Sequence, residues 1–550
     1  MDYKQTKEAF VSNLNGTSFS EISAIISVIP VCLLFRHATV IFTCTLVGFN
    51  KWLVLACEFM SLIAPCVLNV TLLSDHVTLF ALLIMLISFT LLLLSHFKAT
   101  TQHLKSPVSS AKLSQWLNVI PYPARVPFLS VARCYTIILS CVAILAVDFN
   151  VFPRRFAKTE TFGQGLMDTG VGLFVCFHGV VAREVRSRNV TKTSLRQYFQ
   201  DLLQAIISSS PMIVLGCARL IATWGVRYQE HVTEYGVHWN FFFTLAIVKV
   251  LSTLLYPLLI IPSWTTGLVL ITLHQSLLSY GGVTSYVING PHGDDTRDNL
   301  ISANREGIVS SLGYLSLYFL GMEIGRFVFK PRPSVMLSWL LVGIRLMLVT
   351  VVLWVCTLLS DHYIQQCSRR LANLTFVLWM YNSQFQETFC VAPNNASNPL
   401  SSLIVAWLQW TIFAMMKCDV IIDKMAMLFF YTWNQEVTKV AIITSVLASL
   451  IIVDTVILLI EHTTNLQSHF DLYNCPNGDN KKTTPTSLLA AIDYNQLVFF
   501  LAGNLLTGLV NLSINTLAIS NSLSVIIVLL YMLVLGTVSF ALRHFNITLL

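Results

Sequence analysis

Apolar runs of about twenty residues, each long enough to cross ~30 Å of hydrocarbon as a helix, recur along this chain from residue 22 to residue 541. A chain that repeats this pattern has no use for water around its backbone, so it must close its hydrogen bonds inside helices. The fold class this predicts is all-α: a polytopic transmembrane helical bundle. Spans are expected near 22–47, 52–73, 75–96, 130–147, 163–182, 203–221, 239–261, 263–279, 307–322 and 336–359, then 371–389, 440–460, 494–514 and 521–541. An extra apolar stretch lies at 400–416. The whole chain, 1–550, reads as a single multi-pass membrane domain without internal repeats.

The first run is expected to be retained rather than cleaved, because about twenty residues containing Asp2, Lys4, Lys7, Glu8 and Glu21 precede it and no small-residue cleavage site follows. The 13 cysteines are scattered through apolar runs without CxxC pairs, so neither a disulfide framework nor a metal site is expected. The net charge of +7 sits in short loops rather than in a tail, which argues against nucleic acid as a partner.

Loop charge gives an orientation. Lys98, Lys105, Lys112 and Arg125 share one loop, Arg183, Arg186, Arg188, Lys192 and Arg196 a second, and Arg326, Lys330 and Arg332 a third. With the spans above all three fall on one side, which the positive-inside rule marks as cytoplasmic. The N-terminus is then lumenal or external. Asn15, Gly16 and Thr17 form a sequon there, making Asn15 a glycosylation candidate.

On that same side the segment AVDFNVFPRRFAKTETFG, 146–163, breaks the rule with Arg154, Arg155 and Lys158. Arginines at a span edge serve as snorkelling anchors or as anion ligands, and both readings stand for this pair. Asp148 closes an apolar run at a helix C-terminus, where the helix dipole disfavours a carboxylate, so a cation partner such as Lys158 or Arg155 is expected. Two more polar loops share the side: 227–242, with Glu230, His231, Glu234, His238, Trp239 and Asn240, and 289–307, ending in Asn304, Arg305 and Glu306. Ionisable groups at the membrane boundary mark functional sites by default. HVTE lacks the third ligand and the flanks of a metal motif. GQGLMDTGVG follows no strand, so close helix packing explains its glycines better than a nucleotide loop does.

AILAVDFNVFPRRFAKTETFGQGLMDTGVG, YQEHVTEYGVHWNFFFT and SANREGIVSSLGY resemble the family of glucosaminyl-phosphatidylinositol inositol acyltransferases of glycosylphosphatidylinositol (GPI) anchor biosynthesis, the PIG-W family. KEAFVSNLNGTS and QLVFFLAGNLLTGLVNL extend the resemblance from about residue 4 to residue 515 in the same order. It implies a multi-pass endoplasmic reticulum enzyme of about 13 spans with lumenal motif loops, moving a fatty acyl group, usually palmitoyl, from acyl-CoA to the inositol 2-hydroxyl of glucosaminyl-phosphatidylinositol. Acyl-CoA is then a co-substrate, and no tightly bound cofactor is expected. The resemblance also implies that Asp148 and Lys158 form the catalytic pair.

An inositol hydroxyl needs a base to take its proton and a cationic or hydrogen-bonding group to hold the tetrahedral oxyanion. Asp148 is assigned to accept or orient the hydroxyl proton and Lys158 to steady the charge on Asp148 or on the oxyanion, with His231 as reserve base. Arg154 and Arg155 suit the phosphates of lipid or CoA, and Glu230, His231, Glu234, His238, Trp239, Asn240, Asn304, Arg305 and Glu306 are assigned to substrate binding. No Ser or Cys sits in a nucleophile motif, which favours direct transfer over an acyl-enzyme. A multi-pass lipid or solute transporter or scramblase is the competing reading, and a non-catalytic membrane scaffold a third. Residues 381–440 depart from the family pattern and are read as an atypical insertion that splits one helix, or as unremoved intervening sequence in the gene; a genuine insertion would raise the span number to as many as 15.

Overall fold

The computed structural model describes Phe10, Ser12 and residues 14–48, 50–101, 127–186, 195–225, 232–255, 262–329, 336–391 and 487–548. The extra apolar stretch at 400–416, the span at 440–460 and residues 392–440 of the atypical stretch lie outside the described residues. Among the described residues there is no strand, only isolated bridges at Gly16 and Thr17 to Gln164.

The long helices are α1 Phe19–Val47, α2 Lys51–Asn69, α3 Val77–Thr101, α4 Pro127–Ala146, α5 Leu166–Val180, α6 Leu195–Gly225, α7 Phe241–Leu255, α8 Ser263–Tyr280, α9 Arg305–Phe329, α10 Met336–Tyr363, α11 Leu374–Val391, α12 Gln496–Ser513 and α13 Asn521–His544. Eight stretches among the described residues are long and apolar enough to cross a membrane: those in α1 to α4, α6, α9, α12 and α13. α5, α7 and the Leu348–Tyr363 part of α10 are shorter apolar helices. Each predicted span on described residues has a helix at its position. The helices at 263–280 and 374–391 are more polar, because they carry buried His274, Gln275, Asn382 and Gln384.

The chain forms two compact units. One comprises Met1–Ile22, Pro153–Arg332 and Arg345–Glu387, the other Ser23–Phe152, Pro333–Ile344 and Thr388–Leu550. In the first, α9 is the central post and packs against α5, α7 and α8, while α6 packs on α7. Glycines allow the α5–α9 approach: a methyl carbon on Gly179 would lie 2.1 Å from the Tyr318 carbonyl oxygen, and on Gly321 and Gly325 2.4 and 2.2 Å from those of Cys176 and Val180. Small residues four apart bring helix backbones together where lipid supplies no hydrophobic drive between helices. Gly321→Leu is therefore expected to abolish the monodisperse peak of detergent-solubilised protein in size-exclusion chromatography. Gly508→Leu, on α12 where a side chain meets open space, is expected to retain it.

In the second unit α4 packs against α2, α12, α13 and the short helix Leu488–Tyr494. Asn50 caps α2 by accepting from the Trp52 amide at 3.0 Å. Glu58 is buried in α2 and ion-pairs with Arg36 of α1, whose Nε donates at 2.9 Å. Such pairing is what makes a charge tolerable at membrane depth.

Candidate active site

The first unit carries most of the predicted site residues, and two ionic networks organise them. The first forms where α9 begins. Glu306 is wholly buried and accepts from Arg297 and from Arg370, each at 2.8 Å. Arg305, equally buried, donates to the carbonyl oxygens of Val287, Thr296 and Ser302 at 3.0, 3.2 and 3.2 Å and pairs with Asp295. A guanidinium has five donors in a fixed fork, so this one side chain stitches the 283–303 segment onto the helix start. Leu278, Val287 and Leu371 form the apolar seat beneath it. Asn304 accepts from the His238 amide at 2.8 Å and so holds the 236–240 loop to α9.

The second network contains Lys158. Its Nζ donates to Glu234 Oε1 at 2.8 Å; that oxygen lies 3.6 Å from Arg369 NH1, and Arg369 Nε donates to Asp168 Oδ1 at 2.8 Å. The other Asp168 oxygen accepts from the Thr159 hydroxyl at 2.8 Å and from the Gly165 and Thr159 amides at 3.0 and 3.2 Å. A carboxylate at the N-terminus of α5 is also favoured by the helix dipole. Exposure falls along the chain of charges, from 38% for the Lys158 side chain to 13% for Glu234 and 3% for Arg369. Lys158 is thus the cation at the accessible end, oriented by partners that are progressively more buried. Its ammonium has three donors and Glu234 uses one.

Burial alone would raise the Glu234 carboxyl, but Lys158 and then Arg369 outweigh it and hold the group at about 2. A carboxylate depressed in the folded state contributes stability that is fully present above its unfolded value of ~4.3 and is lost as pH falls through the folded one. The melting-temperature difference between wild type and Glu234→Gln is accordingly expected to be constant above about pH 5 and to shrink between ~4.3 and 2. A difference that grew on acidification would contradict the pairing.

The N-terminal segment is bound to this loop. The Thr17 amide donates to the Gln164 carbonyl at 2.7 Å and the Glu160 amide to that of Leu14 at 3.3 Å. Gly16 at φ +77° and Gly163 at φ +122° are the contact points, where a methyl carbon would stand 2.1 Å from Gln164 O and 2.0 Å from Asn15 O. Arg155 donates to Glu21 at 2.9 Å, and the Arg154 guanidinium stacks 3.9 Å over Phe10. The Asn15 side chain is exposed.

Asp148 belongs to the second unit. It follows α4 and accepts from Asn511 Nδ2 of α12 at 2.7 Å, while nearby Asn150 donates to the Leu517 carbonyl at 2.7 Å. The sequence did not point to Asn511 as its partner.

Other predicted residues have local roles. Asn240 caps α7, accepting from the Phe242 amide at 3.1 Å and donating to the Gly216 carbonyl at 2.9 Å. Trp239 donates to Thr244 at 2.9 Å and fills the space above Gly307. The His238 side chain is exposed. Glu230 and His231 lie outside the described residues. Sequence reading missed Asp168, Arg369 and Arg370. The available signal was an acidic residue inside GQGLMDTGVG and paired arginines just before the apolar run LANLTFVLWM. Of the glycines in the first of these, Gly172 packs on Met380 of α11 as expected, whereas Gly163 and Gly165 serve the turn into α5.

Comparison with known proteins adds to this geometry. The GWT1 family model matches residues 3–397 and 391–542. The glucosaminyl-phosphatidylinositol-acyltransferase PIGW of Bos taurus is 34% identical over 539 residues, covering 97% of this chain and 96% of the bovine protein. Its namesake from Homo sapiens is 33% identical over 538 residues, with the same coverage. The GPI-anchored wall transfer protein 1 of Aspergillus oryzae is 32% identical over 573 residues, covering all of this chain and 99% of the fungal protein.

Proposed function

Because this chain belongs to the GWT1 family, we propose that it is an inositol acyltransferase of GPI-anchor biosynthesis, acting on glucosaminyl-phosphatidylinositol. Acyl-CoA, with palmitoyl as the usual chain, is the donor, and the inositol 2-hydroxyl is the acceptor. The observation that carries the reading is similarity along 97% of the chain to proteins named for this activity. The polarised Lys158–Glu234–Arg369–Asp168 network supports it, because acyl transfer needs a fixed positive charge near the reacting carbonyl.

In the reaction, the inositol oxygen attacks the thioester carbon and a C–O bond forms. The carbonyl pair moves onto oxygen, and on collapse the C–S bond breaks and CoA leaves as its thiolate. Asp148 accepts or orients the hydroxyl proton, which then neutralises the thiolate; His231 is the reserve base. Lys158 steadies the developing negative charge. Arg154 and Arg155 take phosphate oxygens, and Glu230, His231, His238 and Trp239 are assigned to substrate binding. Glu234 orients Lys158, while Asn240, Asn304, Arg305 and Glu306 hold the loops that present these groups.

The protein sits in the endoplasmic reticulum membrane with about 13 spans and with its N-terminus and motif loops in the lumen, a reading that loop charge supports. Asn15 is then open to glycosylation. Expression in cells lacking the endogenous acyltransferase tests the function: restored inositol-acylated glycolipid is expected. Restored transport of the lipid without acylation would favour a transporter or scramblase instead.

A further inference from the structure

Tyr235 Oη, Tyr314 Oη and Arg369 NH1 are among the buried donors of the first unit that have no hydrogen-bond partner among the described residues. Arg369 NH1 stands 3.6 Å from Glu234 Oε1, beyond hydrogen-bond reach. The three belong together. Arg369 lies 5.7 Å from the Tyr235 ring centroid, and Gly313, next to Tyr314, packs against Ala372, whose amide donates to the Arg369 carbonyl at 3.1 Å. Tyr314 sits two turns into α9, edge-on to Phe376 at 6.0 Å, and Tyr235 tilts against Phe241 at 6.4 Å. These apolar rings offer no acceptor.

Leaving a buried polar group unsatisfied is costly, so three in one neighbourhood, next to the network that orients Lys158, call for a shared acceptor. All three are donors, and burial pushes the Tyr235 phenol well above its ordinary value, so it keeps its proton. Donors held in a water-poor setting suit an oxygen that gains negative charge.

We propose that Tyr235, Tyr314 and Arg369 NH1 form the oxyanion-binding subsite of this acyltransferase, receiving the thioester carbonyl oxygen as it becomes the tetrahedral oxyanion. This rests on the function proposed above. As the inositol oxygen bonds to the carbonyl carbon, the displaced electron pair settles on that oxygen, and the two phenols and the guanidinium donate to it. When the C–S bond breaks, the pair returns to form the ester carbonyl and the donors release it. Lys158, half-exposed, then faces the acceptor side or the leaving group rather than holding the oxyanion alone.

Phenylalanine substitution separates this role from a structural one. Removing a hydroxyl that has no partner gives up no hydrogen bond, so Tyr235→Phe and Tyr314→Phe are expected to melt at or above the wild-type temperature. A lost oxyanion donor should nonetheless lower kcat by about 10²–10³-fold, with the KM for acyl-CoA and for acceptor lipid within about threefold of wild type. Unchanged kcat in both variants would overturn the proposal, as would a raised KM alone, which would indicate ground-state binding of a phosphate. A lower melting temperature would show that the hydroxyls are already satisfied within the fold and would overturn it equally. Wild-type protein assayed alongside separates the two ideas: no acyl transfer by wild type defeats the function itself, whereas transfer that both variants match defeats only the subsite.

Discussion

Asp148→Asn and Lys158→Ala are each expected to lower acyl transfer by about 10²-fold or more, with folded protein recovered in normal yield. The expectation of normal yield comes from the surroundings. Asn at 148 keeps a carbonyl oxygen that can accept from Asn511, so the contact at 2.7 Å survives without the negative charge. Lys158 is half-exposed, so its truncation leaves Glu234 with Arg369 on one side and access to water on the other. Rates measured on purified variants check this. Near-wild-type transfer by both would remove the pair from the mechanism, and a pure KM effect would reassign them to substrate binding.

The second large effect concerns folding. Arg369→Met is expected to destabilise the first unit by about 3–5 kcal/mol, because it leaves the buried carboxylates Asp168 and Glu234 without their shared cation. The effect should show as loss of the monodisperse species in mild detergent. Neutralising Asp168 as well should recover part of that loss, since replacing both members of a buried pair costs less than orphaning one. Asp168→Asn keeps an oxygen that can accept from Thr159 and Gly165, so the α5 cap persists in the double variant. Equal instability of the single and double variants would mean that Arg369 acts through packing rather than charge.

The sequence made the helices legible because membrane insertion leaves its mark on every window of twenty residues. α1, α3 and α13 stand at their expected places for that reason. Legibility fades where the helices turn polar. α8 was expected as a span at 263–279, but its burial of His274 against the Leu371 carbonyl and of Gln275 against the Leu374 amide could not be read from the same window. The site shows the same division. The cluster at 148–158 was visible because it breaks a local charge rule. Its wiring was not, because Lys158 finds Glu234 76 residues away and Asp168 finds Arg369 201 residues away. No periodicity encodes such pairings. SANREG shows how locating a motif differs from knowing what it does, since Arg305 and Glu306 stood out as charges at a helix start, and the fold uses them, wholly buried, to fasten loops.

The activity assigned to this protein is transfer of an acyl group to inositol. Purified protein in liposomes, given palmitoyl-CoA and glucosaminyl-phosphatidylinositol, puts it to the most direct test, with mass spectrometry of the lipid product. A product heavier by one palmitoyl group located on the inositol ring is expected from wild type and not from Lys158→Ala. Unmodified lipid after palmitoyl-CoA and acceptor have both been supplied at saturation, or an acyl group on the glucosamine instead, would contradict it.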